Sequence, residues 1–174
     1  MTTMSGMYQM RNAALAIECA KTLDIDTNTI KKGVGNTSWD YRFQTIDNFI
    51  LDGAHNPDGA QALAESMALY CKGKKTAFIC GCFKDKDYNS ISKITSPFAD
   101  IVYCIKAPTT RGLDPETLCS TFRSCGADAH VSLSLNDAIN KCRNYDKVII
   151  FGSLSILHEA KKIIERDTSD ATLQ

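Results

Sequence analysis

The chain has 174 residues, 44% of them hydrophobic and 23% charged, which suits a single soluble globular domain with a real core. Lys plus Arg and Asp plus Glu number 20 each, so no net field recruits nucleic acid or an anionic membrane. No leader-peptide pattern and no run of 18 apolar residues is read, and cysteines such as Cys19, Cys80 and Cys104 fall in apolar runs, where a free thiol packs as a small hydrophobe. A reduced, cytoplasmic protein is expected rather than a disulfide framework. Cys80-Gly-Cys82 lacks a second cysteine pair at zinc spacing, so no metal site is assigned.

In chain order, residues 7–23 carry apolar positions at helical spacing, and 27–34 read as a second short helix. Asp26 or Thr27 is its expected cap, with Gly33 and Gly35 ending it. From Tyr41 the period shortens: Phe43, Thr45 and Ile46, then Phe49 to Leu51, predict two strands joined at Asp47-Asn48. After Pro57 the pattern alternates. Helix 58–71 leads to strand 75–80, helix 87–95 to strand 99–105, helix 114–124 to strand 128–131, and helix 134–143 to strand 147–151, with helix 154–166 last. Short β-branched runs between amphipathic helices predict an α/β fold, a Rossmann-like three-layer sandwich whose mostly parallel sheet gains an antiparallel edge strand from the hairpin. The polar tail 167–174 is expected to fray. Residues 1–35 stand outside the alternation and resemble the end of another unit.

Ligands of open parallel sheets bind where the strands' carboxyl ends gather their loops. Four polar loops follow strands here: Asp52–Pro57, Gly81–Asp87, Lys106–Arg111 and Gly152–Ser155. In the first, Asn56 suits a helix N-cap and Pro57 the first helical position, so the helix end offers free N–H groups to a phosphate or carboxylate. His55 is placed to donate to the same anion, and Asp52 to orient a cation or a ribose. A satisfied capping turn is the competing reading of the same stretch. The charged run 81–88 reads first as a solvated turn. Arg111 is a candidate carboxylate or phosphate clamp, while Asp114 and Pro115 open a helix. Ser153 either caps the last helix or meets a ligand. No GxxxxGK[ST] phosphate loop, Ser-His-Asp set or paired histidines occur.

These stretches resemble, in order, the C-terminal part of folylpolyglutamate synthases, many of which are also dihydrofolate synthases, within the Mur ligase superfamily. The resemblance rests on GMYQMRNAALA (6–16), Trp39 with Arg42-Phe43-Gln44, ILDGAHNPDGA (50–60), KDKD (84–87), the Pro108–Arg111 loop with LDPETL, and GSLSILHEAK (152–161). It implies that 1–35 are the last helices of a central ATPase domain, which supplies the phosphate loop and Mg²⁺ ligands, and that 36–166 form the Mur ligase-type C-terminal domain. It implies further that ATP activates a folate carboxylate as an acyl phosphate and that the amine of L-glutamate then attacks it. By the same resemblance Asn12 meets adenine, Arg42 phosphate, and Asp52 the ribose or the interdomain contact. His55 and Ser153 lie by the incoming glutamate, with His55 and Asp52 carrying the chemistry. Ser155 stands where the family often has tyrosine. The expected partners are ATP, L-glutamate, folate and the ATPase domain; a monomer that binds no nucleic acid or membrane is expected, and this chain alone would be inactive. Rival readings are a cell-wall precursor ligase and a free-standing nucleotide or amino-acid binding module.

Overall fold

The computed structural model describes residues 6–172. Two helices lead in, α1 (Met7–Thr22) and α2 (Thr27–Asn36). Asp26 caps α2, its carboxylate accepting from Asn28 N–H and Thr29 N–H. The helix does not stop at Gly33 or Gly35 as expected. Both glycines lie inside it with open space around them, and the chain turns extended only at Thr37, whose hydroxyl donates to the Gly33 carbonyl at 2.7 Å. Glycine permits a left-handed exit but does not force one; here a side chain closes the last turn instead.

The sheet begins with the predicted hairpin, β1 (Gln44–Ile46) and β2 (Phe49–Leu51), antiparallel about Asp47 at φ 55°. Then come α3 (Pro57–Tyr70), β3 (Thr76–Cys80), α4 (Tyr88–Thr95), a 3₁₀ turn at Ser96–Phe98 and β4 (Ile101–Cys104). The chain closes with α5 (Pro115–Ser124), β5 (Ala129–Val131), α6 (Leu135–Cys142), β6 (Lys147–Phe151) and α7 (Leu154–Thr172). The six strands lie in the order β1-β2-β6-β3-β4-β5, parallel except for the β1 edge. The last strand is thus inserted between β2 and β3, and their three carboxyl ends become neighbours.

Strand alternation divides the core in two. Ile50, Phe78, Cys80, Val102, Cys104, Ile149 and Phe151 face one layer with Leu63, Met67, Ile91, Leu118 and Phe122 from α3, α4 and α5. Phe49, Leu51, Ala77, Ile79, Val148 and Ile150 face the other with Ile139, Leu157, Ala160 and Ile164 from α6 and α7. This is the expected three-layer sandwich. Two expectations need correcting. Cys19 is exposed, because α1 packs only its first turns on the sheet unit. The last helix continues six residues past 166, where Asp167 pairs with Arg143 and the Thr168 hydroxyl bonds the Ile164 carbonyl; residues 173–174 lie outside the described residues.

Candidate functional site

Leaving β2, the chain buries Asp52 at 3% exposure. Its Oδ2 accepts from the Tyr8 hydroxyl at 2.8 Å and Phe43 N–H at 2.9 Å, and Oδ1 accepts from Ala54 N–H at 2.9 Å. Burial raises the carboxyl's pKa above its ordinary value, against the pull of those donors and of nearby Arg42. Burial likewise raises the pKa of the Tyr8 phenol. Arg42 itself is exposed, on an arch where Tyr41 (φ 63°) and Phe43 (φ 52°) both take left-handed backbone. For non-glycine residues that conformation costs on the order of 1–3 kcal/mol each.

Three residues on, His55 turns outward. Its Nδ1 lies 2.8 Å from the Gly53 carbonyl, which can only accept, so Nδ1 carries a proton and Nε2 remains for a ligand. Asn56 Oδ1 then accepts from Gly59 N–H at 2.7 Å and Pro57 opens α3. The capping reading of this loop is correct, and the cavity described next leaves the binding reading open beside it.

The loop after β3 is stitched to the loop after β4. Lys84 N–H reaches the Arg111 carbonyl and Leu113 N–H the Cys82 carbonyl, each at 2.9 Å. Gly112 is required there, since a Cβ would stand 2.4 Å from the Ala107 carbonyl oxygen. The Arg111 guanidinium lies over the Phe83 ring at 4.6 Å and forks onto Asp85 at 2.7 and 3.2 Å, holding that carboxyl below its usual pKa. After β6, Gly152 (φ 105°) lets the chain cross above Gly81 and the Cys80 and Cys82 thiols; an added Cβ would lie within 3.0 Å of all three. Ser153 follows, buried, its Oγ 2.8 Å from Ser155 Oγ and accepting Ser155 N–H at 3.3 Å.

These four loops converge on a cavity of about 220 Å³ lined by His55, Phe83, Lys86, Arg111 and Gly152 to Ser155. Lys86 and Arg111, which share Asp85, a histidine nitrogen, hydroxyls and the N-terminus of α7 give it chemistry suited to a small anion such as a carboxylate or phosphoryl group. Of the expected residues, His55 and Ser153 meet in it. Asp52 is buried and lines no part of it. Arg42 and Asn12 also line no part of it, Arg42 reaching beside Gly53 at its margin and Asn12 on exposed α1 with its amide donating to Gln9 Oε1 at 3.2 Å. Lys86 was missed because a KDKD run reads as a solvated turn, and only the bridge between the two loops draws it to the cavity.

The molecule is an α/β sandwich whose loop-built cavity, with Lys86 and Arg111 on its wall, opens at the carboxyl edge of the sheet. The chain belongs to the Mur ligase family: the model of its glutamate ligase domain matches residues 41–154. It is 33% identical over 166 residues to a probable bifunctional folylpolyglutamate synthase/dihydropteroate synthase of Haloferax volcanii, covering 90% of this chain and 20% of that one. The crystal structure of folylpolyglutamate synthase from Thermotoga maritima superposes with a TM-score of 0.79 at 25% identity, over 94% of this chain and 40% of the other. A bifunctional folylpolyglutamate synthase/dihydrofolate synthase solved with Mn, AMPPNP and L-glutamate bound shares the fold at TM-score 0.71 and 24% identity, over 81% of this chain and 35% of that one. The chain thus spans well under half the length of these relatives. Among the described residues no helix is long and apolar enough to cross a membrane.

Proposed function

We propose that this chain is the glutamate-receiving part of an ATP-dependent folylpolyglutamate synthase, working with an ATPase domain outside it. The observation that carries the reading is the cavity joining His55, Lys86, Arg111 and Ser153 in a glutamate ligase domain. Lys86, Arg111 and the α7 N-terminus hold carboxylate groups of L-glutamate, and Ser153 orients them. His55, its Nδ1 proton committed to Gly53, keeps Nε2 for the glutamate amine and takes up its proton as that nitrogen attacks the activated folate carboxyl. Activation is needed because a carboxylate is a poor electrophile; transfer of the ATP γ-phosphoryl to it gives an acyl phosphate, whose phosphate leaves when the amide forms.

The nucleotide falls to the other domain and to the edge of this one, where exposed Arg42 meets a phosphate. Asn12 faces adenine, and Asp52, its buried carboxylate committed to three donors, holds the turn on the ribose side in shape. Among the described residues no three His, Cys, Asp or Glu side chains converge as metal ligands, and no step here runs through a metal. Met10, Leu15, Leu23 and Trp39 stand exposed on and after α1, and these apolar side chains meet the ATPase domain.

The test is calorimetric and kinetic. The 174-residue chain should bind L-glutamate without any ATP-dependent glutamylation of tetrahydrofolate, and His55→Ala should weaken binding about tenfold or more. Turnover by this chain alone, or binding indifferent to His55, overturns the reading.

A further inference from the structure

Tyr8 links the first helix to the most strained backbone of the rim. It lies in the first turn of α1, and its hydroxyl shares Asp52 Oδ2 with Phe43 N–H. One buried carboxylate thereby joins three chain segments: α1, the 41–43 arch and the 52–54 turn. The arch needs outside support, because left-handed Tyr41 and Phe43 flank Arg42 and neither is glycine. Its Tyr41 side is held from elsewhere, by Gly53 N–H on the Tyr41 carbonyl at 2.8 Å, by His158 Nδ1 3.2 Å from the Tyr41 hydroxyl, and by Lys161 on Asp40. The Phe43 N–H hangs on Asp52. Gly6 brings the start of α1 close against that same side, where a Cβ would lie 3.1 Å from Phe43 Cβ. Arg42, at the crown, is exposed, and its charge acts on Asp52, the carboxylate that Tyr8 and Phe43 N–H share.

We propose that Tyr8 is a positioning residue: its hydrogen bond to Asp52 fixes the Phe43 side of the arch and so sets where Arg42 presents its guanidinium to an anion. The first helix thereby becomes part of the anion-recognition apparatus rather than a tether. Only the identity of the anion, an ATP phosphate, rests on the ligase reading above. A tyrosine that merely packed would be replaced by phenylalanine without consequence, since the ring contacts survive.

Tyr8→Phe is therefore the variant to make, read in two ways. In the 174-residue chain, amide hydrogen exchange by NMR should show Phe43 N–H opening about tenfold faster, with β3 and β6 amides unchanged. In the whole enzyme, the KM for ATP should rise about tenfold with kcat held within about twofold. Arg42→Ala should raise KM similarly, and the double variant should be no worse than Arg42→Ala alone, because both act through one group. Unchanged exchange at Phe43 overturns the positioning role whatever the enzyme does. Faster exchange with fully additive KM effects overturns the link to Arg42. If the wild-type enzyme shows no ATP-dependent ligation, the ligase reading fails separately, and the exchange experiment still decides the role of Tyr8.

Discussion

Asp52 and His55 leave the same strand three residues apart, and the loop sends one into the fold and the other out to the rim. Asp52 spends its lone pairs on Tyr8, Phe43 and Ala54. His55 spends one nitrogen on its own loop and keeps the other for the cavity. The difference is one of hydrogen-bond accounting. A polar group whose capacity is consumed by the protein fixes geometry, and one with capacity left over at a cavity wall is free to meet a ligand.

The largest effect is expected at Gly152, which lines the cavity. Gly152→Ala sets a Cβ against the Gly81 carbonyl and two buried thiols at a positive φ, and should cost about 3 kcal/mol or more of stability, read as a lower urea midpoint. Asp52→Ala comes next. It strands buried donors and should cost about 2–3 kcal/mol, with Asp52→Asn costing less because one acceptor survives. His55→Ala should do the reverse, shifting stability by less than about 1 kcal/mol while glutamate-dependent ligation by the whole enzyme falls about tenfold or more. Equal stability losses in Asp52→Ala and His55→Ala would erase the distinction drawn between them.

The smallest effect lies in the pH dependence of stability. Asp52 has a folded pKa above the ordinary 3.8, so the folded state binds its proton more tightly; its contribution is fully present below 3.8 and is lost as pH rises through the folded value. Asp85, bonded to Arg111 on the rim, has a folded pKa below 3.8, so its contribution is present above 3.8 and is lost as pH falls through the folded value. Urea midpoints measured from pH 3 to 7 should therefore change slope in opposite directions in Asp52→Asn and Asp85→Asn. Slopes altered in the same direction would show that the two carboxyls do not differ as described.

Short-range physics accounts for the local elements of this chain. Strand and helix periodicity, the Asn56-Pro57, Asp114-Pro115 and Asp26 helix starts, and the gathering of four loops at one sheet edge were all legible, because caps and alternation depend on residues a few positions apart. The motifs also carried the family. Tertiary structure decided the rest. Insertion of β6 between β2 and β3 chose which loops share a wall, and pairing of the 81–87 and 105–114 loops turned Lys86 and Arg111 from surface charges into cavity groups. Burial beneath Tyr8 and Phe43 took Asp52 away from the cavity, although its own loop sequence reads as a binding motif. Burial and hydrogen-bond capacity are set by partners dozens of residues away, and no local pattern in the chain encodes which partners those will be.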